Sequence, residues 1–108
     1  MGGEPWDPSE ATRRIRAIAK HHSLNVTYTH HAREQMLKRD LILGDVLYVL
    51  KNGFVHDSAQ ASTRPGYYKY RMQTSTPNSG QRDVRVVVIP DERSFWVKVV
   101  TVMWVDEP

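Results

Sequence analysis

The feature that most constrains this 108-residue chain is a change of hydrophobic period at Gly53. Before it, apolar residues recur three and four positions apart, the spacing of one helix face. After it they alternate with polar residues, the spacing of strands with one buried side. Helices followed by a run of hairpin-connected strands predict an α+β domain with two to three N-terminal helices on one face of an antiparallel sheet. The other sheet face has no element left to cover it, so it is open to a ligand.

The first helix is expected over about 8–22. Asp7 caps it, Pro8 suits the first helical position, and Glu10 falls where a capping-box acid reaches back. Its inward stripe is Ala11, Ile15, Ile18 and His22. Asn25-Val26-Thr27-Tyr28 is a short strand rich in β-formers. Thr29 caps a second helix running to about Arg39, with Ala32, Met36 and Leu37 inward. After a break at Asp40 to Leu43, the third helix carries Val46, Leu47, Val49 and Leu50. It ends at Gly53, expected in the left-handed conformation.

The strand half begins at Phe54-Val55-His56. A polar loop follows from Asp57 to Gly66, with Pro65-Gly66 as its turn signal. Tyr67 to Thr74 alternates, with Tyr67, Lys69, Arg71 and Gln73 on one face and Tyr68, Tyr70 and Met72 on the other. Asp83 to Ile89 and Phe95 to Val105 complete the set, joined by a turn at Pro90 to Arg93. Trp96 and Trp104, both at even positions, are expected on one face of the last strand as core residues.

Length and a 40% apolar content suit one modest core. That implies a single domain over residues 1–108, with 1–6 as a loose leader and the core at about 8–105. No apolar run reaches the length of a membrane span, and the N-terminus lacks the pattern of a signal peptide. The chain has no cysteine, which excludes disulfides and thiolate metal sites and suits a cytoplasmic protein. The net charge of +3 hides an asymmetry: all 15 Lys and Arg lie between Arg13 and Lys98, while five of the 12 acids sit at the two ends. A body with that excess attracts polyanions. It also fits a soluble surface of mixed charge.

The polar residues suggest a site for phosphate chemistry. His31, Gln35 and Arg39, at i, i+4 and i+8, share one helix face, with His31 near the N-terminus where the helix dipole favours an anion. Lys69, Arg71 and Gln73, with Tyr67, form a basic and aromatic strand face suited to phosphate contact and base stacking. The same alternation also describes an ordinary solvated sheet face. Arg85 between Val84 and Val86, and Lys98 between Val97 and Val99, are cations in otherwise apolar strands and must face solvent, a partner or a site. The pairs His21-His22 and His30-His31 do not chelate, since adjacent helical residues diverge by about 100°, and no metal or other cofactor is expected.

In order and spacing the chain resembles the RelE-like superfamily of small bacterial endoribonuclease toxins, nearest to a poorly characterised family within it. The resemblance rests on Thr29-His30-His31-Ala32, Gln35-Met36, Arg39, Asp45-Val46 and Gly53. It continues through the Tyr-rich strand Tyr67 to Arg71, the Val-rich strand Val84 to Ile89, and Thr101-Val102, covering about residues 26–104. Gln35 stands where the family tends to have Arg, and Ile42 where a capping Ser or Thr is usual. The resemblance implies helices against a four-stranded antiparallel sheet, metal-independent RNA cleavage through 2′-OH attack on phosphate, ribosome-associated mRNA as a possible substrate, and a cognate antitoxin as partner. In that setting His31 acts as base or orienting group and Lys69, Arg71 and Arg85 hold the phosphate. Arg39, Gln73 and Lys98 contact substrate, and Tyr67 or Tyr70 stacks on a base. The alternative is a non-catalytic RNA- or protein-binding module of the same fold. A DNA-binding helix–turn–helix over Thr29 to Gly53 ranks last, because its second helix is too apolar to read bases.

Overall fold

The computed structural model describes residues 3–107. In chain order the elements are α1 (Pro8–Lys20), β1 (Asn25–Tyr28), α2 (His30–Lys38), α3 (Leu43–Asn52), β2 (Phe54–Val55), β3 (Gln60–Ala61), β4 (Tyr68–Ser75), β5 (Asp83–Asp91), a short 3-10 turn (Glu92–Ser94) and β6 (Trp96–Trp104). The strands lie in the order β1-β6-β5-β4-β2, with β3 also paired to β4.

The expected architecture of helices over a sheet holds in outline, but the sheet is not four antiparallel strands. It has six, and β1 runs parallel to β6 in the register Asn25↔Trp96 to Tyr28↔Val99. Without β1, the backbone of β6 would present an unpaired edge. Backbone bonds from Asn25 N–H to Phe95 and from Thr29 N–H to Val99 extend the pairing at both ends. At the other side of the sheet β2 and β3 divide the edge of β4 between them. The polar loop gave no alternation from which the two-residue β3 could be read.

One sheet face meets the helices. Ile15, Ile18, Val46, Val49 and Leu50 pack with Tyr70, Met72, Val84, Val86, Val88, Val97, Val99 and Val102, each no more than 2% exposed. At about 1.5–3 kcal/mol for each fully buried aliphatic side chain, this layer is the main source of stability. Val46 and Leu50 are fully buried, so α3 cannot serve as a recognition helix and the helix–turn–helix reading fails.

Several local expectations are revised. Helix α1 ends at Lys20, because the His21 N–H turns back to the Ile18 carbonyl. His22 is exposed as a result, and Ala19 is buried in its place. Glu10 pairs with Arg13 and Arg14 instead of reaching back to the cap. Leu37 is 82% exposed. Gly53 is extended, with φ −78° and ψ −179°. Glycine is required there by space, since a Cβ would lie 2.6 Å from the Val49 carbonyl oxygen. The left-handed residue in this half is Asp40, between α2 and α3.

The expected loose leader is folded against the domain from Glu4 to Trp6, while Met1 and Gly2 lie outside the described residues. The Trp6 ring is buried and stacks on Tyr70 with centroids 5.5 Å apart. Its backbone N–H donates to the Tyr70 hydroxyl, which in turn donates to Glu4.

A buried carboxylate ties the helices to the far hairpin. Asp45, 2% exposed in the first turn of α3, accepts from the Ile42 N–H (2.9 Å), the Thr76 hydroxyl (2.7 Å) and the Asn78 amide (3.1 Å). Burial alone would raise its pKa, but these three donors outweigh it and hold the carboxyl below its usual value. Asp45 thus supplies the cap that Ile42 cannot.

Candidate nucleic-acid interface

The helix-free sheet face is assembled from odd-numbered residues of β4 and β5 and their partners on β6. Register places Phe54, Gln73, Arg85 and Met103 in one row across the sheet. The next row is Arg71, Val87 and Thr101. Then come Ile89, Lys98 and Thr27, and after them Asp91, Trp96 and Asn25. No helix covers these rows, and their side chains are half-buried or exposed. Val84, Val86, Val97 and Val99, which flank the two strand cations, are all buried on the opposite face. Strand geometry therefore forces Arg85 and Lys98 outward, onto the open face.

Arg85 lies over its neighbour: its Nε and Nη2 donate to the Gln73 amide oxygen at 3.3 and 3.2 Å. Gln73 orients this guanidinium without neutralising it. Arg71 makes a loose 3.5 Å pair with the exposed Asp57. Lys69 and Lys98 form no ion pair among the described residues. Diagonal neighbours on adjacent strands are about 7–8 Å apart, so Arg71 and Arg85 can contact neighbouring phosphates. Between the cations lie the half-buried Val87, Ile89 and Met103. The face thus offers fixed positive charge on an apolar floor.

Aromatic residues border it. The Tyr67 hydroxyl donates to Asp91 (3.2 Å) and the Arg64 guanidinium sits 4.5 Å above its ring. Trp96 donates its indole N–H to the Thr27 hydroxyl at 2.8 Å. Phe54, 49% exposed, lies beneath Arg16, which also bonds the carbonyls of Asn52 and Gly53 at the end of α3. The expectation that Trp96 and Trp104 share a face is wrong. A bulge at Val100, where Val87 pairs with Thr101 and Val88 with Val99, reverses the parity of β6. Trp96 faces outward, and Trp104 packs against the core under Arg82.

The residues singled out in sequence do not form one cluster. Lys69, Arg71, Gln73 and Arg85 come together on β4 and β5, with Lys98 further along the sheet on β6, the strand next to β5. His31 is exposed on the first turn of α2, which packs along β6, and makes no hydrogen bond or ion pair with the described residues. Because α2 lies on the core side of the sheet and the cations on the helix-free side, the sheet itself stands between the two groups. Gln35 and Arg39, on the same helix face as His31, are taken up structurally. The Gln35 side-chain amide oxygen Oε1 accepts from Val102 N–H, closing the β6 edge past the end of β1. Arg39 makes a two-pronged pair with Glu107 at 2.7 and 2.5 Å. That pair holds the Glu107 carboxyl down at about 2. Tyr70 is 1% exposed on the helix face, so it belongs to the core and cannot stack on a base. Burial pushes its hydroxyl well above the usual tyrosine range.

Sequence reasoning missed the apolar floor and the outward Trp96. Val87 and Ile89 alternate with core valines of identical chemistry, and nothing in the string marks the bulge.

The class this geometry defines is an α+β domain with three helices on one face of a mixed sheet and a cationic, apolar-floored face opposite. The family model described as "Domain of unknown function (DUF4258)" matches residues 28–104, and the chain belongs to that family. No curated protein and no solved structure matches it. No helix among the described residues is long and apolar enough to cross a membrane.

Proposed function

We propose that the protein binds single-stranded RNA on the helix-free sheet face, in the manner of a RelE-like domain in the cytoplasm. One observation carries this reading: Arg85, Arg71, Lys69 and Lys98 project from an apolar floor with no carboxylate tightly paired to any of them. The acidic residues of this face, Asp83 and Asp91, lie at the two ends of β5, and the cations between them, bordered by aromatic rings, suit a phosphate backbone with stacked bases.

The activity that the RelE-like resemblance implies is metal-independent endoribonucleolytic cleavage, with an antitoxin protein as partner. In that reading Arg85, oriented by Gln73, and Arg71 clamp the phosphate and stabilise its developing charge. The attacking 2′-OH needs a base within hydrogen-bond reach. His31 stands on α2, on the helix side of the sheet, so it meets that need only for RNA that passes around the sheet edge formed by β6 and β1. Incubating the purified protein with RNA in EDTA tests both readings. A cleavage ladder lost in the Lys69/Arg71/Arg85 triple alanine variant supports the nuclease. Binding without turnover supports the non-catalytic module, and neither binding nor turnover overturns both.

A further inference from the structure

The cationic sheet face does not stop at its outer strand. The two-residue β2 ends the sheet on that side, and Phe54 on it shares a row with Gln73 and Arg85. Helix α1 abuts this edge: its Thr12 hydroxyl accepts from the Val55 N–H at 2.8 Å. From the next turn of α1, the Arg16 guanidinium reaches over the Phe54 ring, 4.5 Å from its centroid. The carbonyls of Gly53 and Asn52 hold it there through Nε and Nη2, both at 2.9 Å. Its Nη1 bonds nothing among the described residues. Along α1 a shallow concavity of about 430 Å³ is lined by Ser9, Thr12, Arg13, Arg16, Ala17 and Lys20. Arg13 is matched by Glu10, whereas Arg16 and the exposed Lys20 have no ion pair among the described residues. Four positions apart, these two share one helix face.

We propose that the RNA track turns over the β2 edge at Phe54 and continues along α1, with Arg16 and Lys20 as its phosphate contacts. The inference rests on the RNA reading and lengthens its site. Phe54 stands between cations of two layers, with Arg85 two strands away, about 10 Å across the sheet, and Arg16 over its ring. Capping the end of α3 explains the carbonyl bonds of Arg16, but it does not explain why the ring beneath is left 49% exposed. His56, itself exposed, stacks beside Phe54 with centroids 6.2 Å apart. A base stacks on such an edge while its backbone meets the cations on either side. The α1 concavity has no carboxylate to repel phosphate. It also has no large apolar side chain to anchor a protein partner, which favours nucleic acid.

Fluorescence anisotropy tests the track with labelled single-stranded RNAs of about five and about 12 nucleotides, the second within the span of single-strand grooves. Each is titrated with wild type, R16Q/K20Q and K20Q over roughly 50–200 mM salt. A phosphate contact adds about −0.7 to the slope of log K against log[salt]. On the longer RNA the double variant is expected to make the slope shallower by about 1.4, which is a sevenfold smaller loss of affinity over that range, and K20Q by about 0.7. Lys20 bonds no other described side chain, so K20Q separates a lost contact from a lost fold. The shorter RNA is held by the sheet face and should show one slope with all three proteins. Equal slopes on the longer RNA overturn the α1 track and leave the sheet-face reading standing. So does a change of the same size on the shorter RNA, or an effect of the double variant that K20Q does not share. Failure of both RNAs to bind wild type overturns the sheet-face reading and the track with it.

Discussion

Replacing Asp45 by Ala tests whether one carboxylate joins the helix layer to the β4–β5 hairpin. The side chain accepts three hydrogen bonds, and its removal acts differently on each donor. Ile42 N–H loses the only side-chain cap of α3, worth about 1 kcal/mol. The Thr76 hydroxyl, on a residue 6% exposed, loses an ionised acceptor in a buried position, worth about 2 kcal/mol. Asn78 is exposed, and water replaces its partner. The expected loss is therefore about 3 kcal/mol, a large share of the roughly 5–15 kcal/mol that holds a small domain. At about 4–8 °C per kcal/mol, Tm falls by roughly 12–24 °C. Urea titration followed by circular dichroism gives the free energy directly. Asp45→Asn retains one acceptor oxygen and loses less. A double-mutant cycle with Thr76→Val isolates the buried pair, with a coupling of about 1–2 kcal/mol expected. A loss under 1 kcal/mol for Asp45→Ala, or no coupling to Thr76, would refute the reasoning.

Gly53→Ala is expected to destabilise by about 1–3 kcal/mol, because the added methyl meets the Val49 carbonyl at the junction of α3 and β2; thermal melts check this, and an unchanged Tm would mean that the junction relaxes freely. The C-terminal clasp predicts a pH dependence. Arg39 holds the Glu107 carboxyl at about 2, down from 4.5. A depressed carboxylate contributes stability that is complete above the unfolded value and is lost as pH falls through the folded one. Melts between pH 5 and pH 2 should therefore show stability falling, and Arg39→Gln should flatten that fall; parallel curves for the two proteins would contradict the assignment.

Much of the fold was legible because it follows from period. The switch at Gly53 separates helices from strands, and spacing picks out Ala11, Ile15 and Ile18 of α1, Val46, Val49 and Leu50 of α3, and Tyr70 and Met72 of β4 as inward, though it also put the exposed His22 there. What the string concealed depends on contacts distant in sequence. β1 joins the sheet through pairing with residues about seventy positions away, which no local pattern records. The bulge at Val100 is visible only in its register against β5, and it sends Trp96 and Trp104 to opposite faces. Asp45 stood out in sequence only as half of an Asp-Val pair, since its donors come from the hairpin 31 and 33 residues on. For the candidate site, alternation correctly placed Lys69, Arg71 and Gln73 on one face and forced Arg85 and Lys98 outward. The same logic could not show that Arg39 is occupied by Glu107, or that His31 stands at the sheet's edge.

The central claim is that four cations on the helix-free face hold an RNA backbone. Its most direct test is the salt dependence of binding, measured by fluorescence anisotropy with a labelled single-stranded RNA in EDTA. Four phosphate contacts predict a slope of log K against log[salt] of about −2.8, and so a loss of about 50-fold between roughly 50 and 200 mM salt. Removing Arg71 and Arg85 together should halve that slope to about −1.4 and leave a loss of about sevenfold over the same range. A wild-type slope near zero, or an equal slope in the double variant, would contradict the account and move any RNA contact off this face.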